Sequence, residues 1–228
     1  MRYIILIIFS FCLVPNVKAQ IYEVGFFLGS SNFIGDVGDT KYIAPQRPAG
    51  GLLLKWNRSP RHAFRASFLL TELEGNDSAS DDPRRIARDY DFRNTIMEIS
   101  AGMEFNFLDF DQHSLEPQMT PYIYTGISTA RHKNYFFQGG VQTYENTYSW
   151  AYGIPMVVGF KATTVKGLVL GAEIGVRYTF SDEIDGSVPD SSSRKPLSFG
   201  NLNSNDWYVF SGITLTYTFG EKPCYCSY

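Results

Sequence analysis

The chain has 228 residues, with 20 Lys+Arg against 23 Asp+Glu, three His and three Cys; 44% of it is apolar and 16% aromatic. That aromatic share, together with 20 Gly and only 19% charged residues, argues for a strand-rich domain and against both disorder and a soluble helical bundle. A net charge of -3 with no basic block removes the electrostatic footprint of nucleic-acid binding, and no nucleic acid is expected as a partner.

Residues 1–19 read as an export signal. Arg2 is the positive n-region, residues 4–14 are an apolar run too short to cross a bilayer, and Val17, Lys18 and Ala19 mark a cleavage site. Cys12 follows Phe11 inside the apolar run, which does not suit an acylated lipoprotein cysteine. Cleavage after Ala19 is expected to leave 18 basic and 23 acidic residues, near -5. Residues 20–220 then form one domain and 221–228 a short tail.

No later segment offers eighteen continuous apolar residues, so a transmembrane helix is not expected after Ala19. A closed β-barrel crosses a membrane differently, with strands that alternate apolar and polar residues. Residues 95–107 set Met97, Ile99, Ala101, Met103 and Phe105 against Glu98, Ser100, Gly102, Glu104 and Asn106. Residues 168–180 set Leu168, Leu170, Ala172, Ile174, Val176 and Tyr178 against Val169, Gly171, Glu173, Gly175 and Arg177, and residues 207–219 repeat the pattern. Weaker alternations at 20–30, 49–57, 63–73, 122–130 and 149–161 bring the expected count to eight antiparallel strands. In the 122–130 segment the faces stay open, because Tyr122 and Tyr124 oppose Ile123 and Ile127.

The connections 31–48, 72–91, 131–147 and 181–206 are long and polar, whereas 58–62 and 162–167 are short and 108–120 is intermediate. Alternating long and short connections are typical of outer-membrane barrels, with long loops outside, short turns in the periplasm and, for an even strand count, both termini periplasmic. Aromatic residues gather at strand ends, among them Tyr22, Trp56, Trp150 and Trp207. A soluble exported barrel would show the same period with the faces exchanged. The strand-end aromatics and the loop asymmetry favour an integral outer-membrane protein in contact with lipid.

On the polar face, Glu23, Glu98, Glu104 and Glu173 balance Lys55, Arg65, Lys161 and Arg177. Eight strands enclose a space that side chains fill, so these charges are expected to form a paired lumen plug rather than line a pore. For an enzyme, His132 is the one histidine on the outer side. No Ser lies beside it in sequence, and it reads as a solvated loop residue. Asp77, Asp81 and Asp82 lack a calcium-loop order and read as solvated. Cys224 and Cys226 are too close in sequence for an unstrained bridge; a link to another chain is the sharper alternative to free or locally oxidised thiols.

Gly25 to Gly29 with Gly35-Asp36, the Arg47 to Asn57 strand after a Pro-containing loop, Asn106-Phe-Leu-Asp109, Thr120-Pro-Tyr122 and the closing Leu215 to Gly220 resemble the PorG family, small outer-membrane barrels of type IX secretion and gliding machinery. The resemblance covers nearly the whole mature chain. It implies a non-enzymatic component that ties a periplasmic ring, built from a PorK-like lipoprotein and a PorN-like protein, to the outer membrane, with no cofactor. The periplasmic residues able to reach such a ring are Arg58, Arg61, Asp109, Asp111 and Glu116, with Tyr225 and Tyr228 in the tail. The rival expectation is a general OmpA-like structural or surface-binding barrel that works through its outer loops.

Overall fold

The computed structural model describes residues 21–112, 114, 116–165, 167–201 and 204–220. The expected export signal and the tail carrying Cys224, Tyr225, Cys226 and Tyr228 lie outside the described residues. The strands are β1 (Ile21–Ile34), β2 (Arg47–Asn57), β3 (His62–Asn76), β4 (Asp91–Asn106), β5 (Met119–Gln138), β6 (Val141–Val165), β7 (Leu168–Thr179) and β8 (Trp207–Phe219), with one short α-helix, α1 (Pro83–Arg88), and 3-10 turns at Asp77–Ala79 and Ser192–Leu197 among the described residues. Each strand pairs antiparallel with its sequence neighbours. β8 returns to β1, from Tyr22 opposite Phe219 to Ile34 opposite Trp207, so the sheet closes. Closure leaves no edge along the ring, which is what allows a sheet to sit in lipid.

The two faces are sorted as in a transmembrane barrel. Leu170 and Ile174 on β7, Ile99 and Met103 on β4, and Phe26 and Leu28 on β1 are exposed on the outer wall, while Glu98, Glu104, Arg65 and Arg177 are buried inside. A soluble barrel would invert this. Tyr122 and Tyr124 point inward and Ile123 and Ile127 outward, which settles the segment whose faces the sequence leaves open. β7 has twelve residues; at about 3.3 Å each and a tilt of about 40°, it rises roughly 30 Å, matching a hydrocarbon core.

The connection expected as a loop at 131–147 is instead a β-hairpin that continues β5 and β6 past the last β4–β5 pair, Met97 opposite Arg131, up to the level of Tyr90. Its turn is Gly139-Gly140, with φ of 60° and 86°, the left-handed pair that a tight hairpin turn needs. The polar composition there reflects solvent on the outer face. The inner face carries Tyr135 and Phe137, both buried in the core cluster. Strands β1 and β3 also run further than the alternation suggests, to Ile34 and Asn76. The long-loop end thus comprises the connections after β1, β3 and β7 beside the β5–β6 hairpin. The turn end comprises the connections after β2, β4 and β6, beside the described chain ends.

Candidate functional site

The inner wall is layered. Towards the turn end it carries the charges around Glu104, and above them Phe27, Leu53, Leu69, Ile96, Phe210 and their neighbours form a continuous apolar and aromatic core, within which Glu98 stands level with Leu69 and Arg177 with Tyr208. Glu104 is the hub of the charged layer. Lys161 Nζ donates to its Oε1 at 2.6 Å, Lys55 Nζ lies 2.9 Å from Oε2, and Arg65 Nη1 lies 3.7 Å from the same oxygen. Arg65 turns its other face to Glu173 in a two-pronged contact, 2.7 Å on each side, and Tyr122 Oη donates to Glu173 at 2.5 Å. Such paired geometry is what lets ions persist away from water. Inward Gly159 leaves the space that the Tyr122 ring occupies.

A second group stands apart. Arg177 Nε reaches both oxygens of Glu98 at 3.2 Å, and Tyr208 Oη donates to Glu98 at 2.6 Å. Glu23 has no ion-pair partner within 4 Å among the described residues. It accepts hydrogen bonds from Asn57 at 2.8 Å, Thr216 at 2.7 Å and Gln112. Seven of the eight expected lumen charges therefore meet an opposite charge directly, and Glu23 is held by neutral donors.

Both ends of the lumen are closed by segments that periodicity does not reveal. At the turn end, the connection from β4 to β5 folds inward: Phe110 is buried beneath Lys161 Nζ, 4.8 Å from its ring centre, and Gln112 reaches Glu23. At the long-loop end, carboxylates tie the loops together. Asp185 accepts from the backbone N–H groups of Asp36, Val37 and Ser187 at 2.8, 3.2 and 2.9 Å. Asp206 accepts from Ile184 N at 2.9 Å, and Asp77 accepts from Gly38 N at 2.9 Å while meeting Arg88 at 2.7 Å. Asp77 is fully buried, which corrects its reading as a solvated loop residue: the short turn after β3 directs it under the loop before β2. Burial, followed by repulsion from Asp185 and Asp182, pushes Asp206 well above the usual carboxylate range. Burial, then Asp185, Asp36 and Glu183, pushes Asp182 up to about 7.

His132 is likewise buried rather than solvated, because β5 continues through it. It stands opposite Ser149. Its Nε2 has no hydrogen-bond partner and its Nδ1 comes no closer than 3.5 Å to Lys133 O, so no base-to-nucleophile contact forms. Among the described residues no group of three or more His, Cys, Asp or Glu is placed to hold a metal ion.

The expected partner-facing residues gather at the turn end. Arg61 and Asp109 form an exposed pair across two turns, 2.5 Å apart, and Arg61 also donates to Phe107 O at 3.0 Å. Arg58 and Glu116 are exposed and Asp111 is half-buried.

No curated protein matches the chain. Among solved structures it is similar to Ail, the attachment invasion locus protein of Yersinia pestis, with 11% identity, a TM-score of 0.44 and coverage of 89% of this chain and 100% of that one. It is similar to Neisserial surface protein A with 11% identity, a TM-score of 0.45 and coverage of 88% and 97%. For a major outer membrane protein from Thermus thermophilus the values are 13%, 0.47, 89% and 100%. The barrel stands on its own closed register and sorted faces. A family model matches residues 2–228, and the chain belongs to that family, the domain of unknown function DUF6089.

Proposed function

We propose that this protein is a non-enzymatic, non-conducting barrel of the outer membrane, serving the type IX secretion and gliding apparatus by anchoring a periplasmic ring of PorK-like and PorN-like proteins. The single observation that supports a structural role is the filled lumen. Glu104 is clamped by Lys55, Lys161 and Arg65, with Phe110 below and the carboxylate-tied loops above, an arrangement that suits a plug better than a pore. The assignment to the secretion apparatus comes from the sequence resemblance. In this reading the long loops face outward and the turn end faces the periplasm, where Arg58, Asp111 and Glu116 meet the ring.

Two measurements test it. Purified barrel in planar bilayers should give no steady porin-like steps; large stable steps would refute the plug. In cells, Arg58→Ala with Arg61→Ala, and separately deletion of residues 221–228, should reduce co-purification of the ring proteins at normal barrel abundance. Trimming residues 77–90 is the matched control. If only the loop deletion loses partner and secretion, a surface-binding barrel is the better reading. The long β5–β6 hairpin, whose outer side carries exposed Val141, Tyr144 and Tyr148, is the observation that favours this second reading.

A further inference from the structure

The β5–β6 hairpin carries a built irregularity. Lys133 pairs with Tyr148 and Tyr135 with Tyr144, so Asn134 alone faces three residues of β6. Asn146, in that bulge, has φ of 59°, a left-handed conformation that a non-glycine residue adopts at a cost and that often marks a functional position. Around it lies a pocket of about 220 Å³ lined by Lys133, Asn134, Tyr144, Asn146, Thr147 and Tyr148. Asn134 is nearly fully buried; its amide donates to Thr147 and Ser149 at 3.0 and 2.8 Å, and its Oδ1 has no donor. The volume falls below the roughly 300–1,000 Å³ of drug-sized pockets and suits a single sugar ring.

Two basic side chains flank the pocket, and neither forms an ion pair among the described residues. Lys133 Nζ lies 5.7 Å from the Tyr144 ring centre, and the Arg131 guanidinium lies 4.2 Å from that of Tyr148. The neighbouring carboxylates have partners of their own: Glu145 faces Arg194 at 3.5 Å and accepts from Ser191 N, and Glu183 accepts from Ser149. Height on the wall narrows the ligand further. Arg131 stands level with Met97 and Trp150, at the upper margin of the apolar belt that includes Ile127 and Ile99, so the pocket opens at headgroup level, where aromatic side chains are at home. Tyrosine faces, amide and hydroxyl groups and a lone ammonium match a sugar bearing a phosphate.

We propose that this pocket binds the phosphorylated sugar headgroup of a glycolipid in the surrounding leaflet. Lys133 meets the phosphate, Tyr144 and Tyr148 flank the ring, and Asn146 and Thr147 bond its hydroxyls. The proposal rests on the outer-membrane reading with the long-loop end outward.

The test uses the full folded barrel in detergent with glucosamine-1-phosphate, glucosamine and inorganic phosphate as probes. It then uses nanodiscs of phosphatidylcholine with or without phosphorylated lipid A. The sugar phosphate should bind better than either fragment, and lipid A should co-purify with the barrel. Lys133→Met and Tyr148→Ala should each weaken both by about tenfold or more, while Lys195→Met, a surface lysine outside the pocket, should not. Equal binding by Lys133→Met, or no binding by a well-folded wild type, overturns the proposal. Binding of the soluble sugar phosphate without lipid A enrichment overturns the lipid as its source. Labelling of a Lys133→Cys variant on intact cells with a membrane-impermeant maleimide reports the orientation separately. Labelling without binding removes the pocket alone; no labelling of inserted protein removes the reading beneath it.

Discussion

Replacing Glu98 with Gln should unfold this barrel more easily than any change on its outer wall that leaves the belt apolar. Arg177 and Glu98 are both almost fully buried, joined by contacts of 3.2 Å, with Tyr208 Oη 2.6 Å from the carboxylate. Glu98→Gln leaves the guanidinium without a counter-charge, and Arg177→Met leaves the carboxylate with Tyr208 alone. Each should cost about 3–5 kcal/mol, the usual effect of breaking a buried pair from one side, against a whole-domain stability of about 5–15 kcal/mol. Removing both charges with Glu98→Gln and Arg177→Met leaves a neutral amide beside the Tyr208 hydroxyl, with at most one imperfectly paired polar group, about 1–3 kcal/mol. The double variant should therefore be more stable than either single one. Urea unfolding in phospholipid vesicles, followed by the fluorescence of Trp56, Trp150 and Trp207, measures all four proteins. Single variants within about 1 kcal/mol of wild type, or a double variant whose loss equals the two singles added, would refute the paired-lumen account.

Other outcomes follow from the same geometry. The cap formed by the connection from β7 to β8 should tighten in mild acid. Asp182 is raised from 3.8 to about 7 by burial and its acidic neighbours, so its protonation favours the folded cap fully below about pH 4 and is lost as pH rises through about 7. Hydrogen exchange at residues 182–187, corrected for intrinsic rates, should speed up between about pH 5 and 8, and Asp182→Asn should flatten that change; exchange that slows instead would contradict it. Met103→Arg, on the exposed mid-wall, should cost about 2–4 kcal/mol in vesicles, whereas a solvent-facing residue would tolerate it, so a neutral result argues against lipid contact. Phe110→Ala should cost about 3–5 kcal/mol by leaving a cavity beneath Lys161, read by the same urea unfolding, and a loss below about 1 kcal/mol would show that the turn does not seal the lumen.

The alternation of β4, β7 and β8 was legible because period-2 patterning is local: neighbouring side chains on a strand must face opposite walls, whatever the strand pairs with. Eight strands and their order follow from that pattern and the connection lengths. The identities of the lumen charges were legible for the same reason, since Glu98, Glu104, Glu173 and Arg177 fall on the polar phase of strong alternations. Their partners were not. Arg65 meets Glu173 across 108 residues of chain and Arg177 meets Glu98 across 79, and no local rule specifies which strand lies opposite which across a closed ring. The same holds for Phe110, Asp77, Asp185 and Asp206, loop residues in polar stretches that become interior only when the loops fold over the barrel mouths. The hairpin beyond Arg131 was hidden because its outer face meets water and its bulge at Asn134 breaks the alternation. Sequence by itself determined a chain of alternating strands with one charged and one apolar face. Tertiary structure decided that the charged face is the inner one, which charges neutralise each other there, and what closes the two ends, because those depend on contacts between residues that only ring closure brings within a few ångströms.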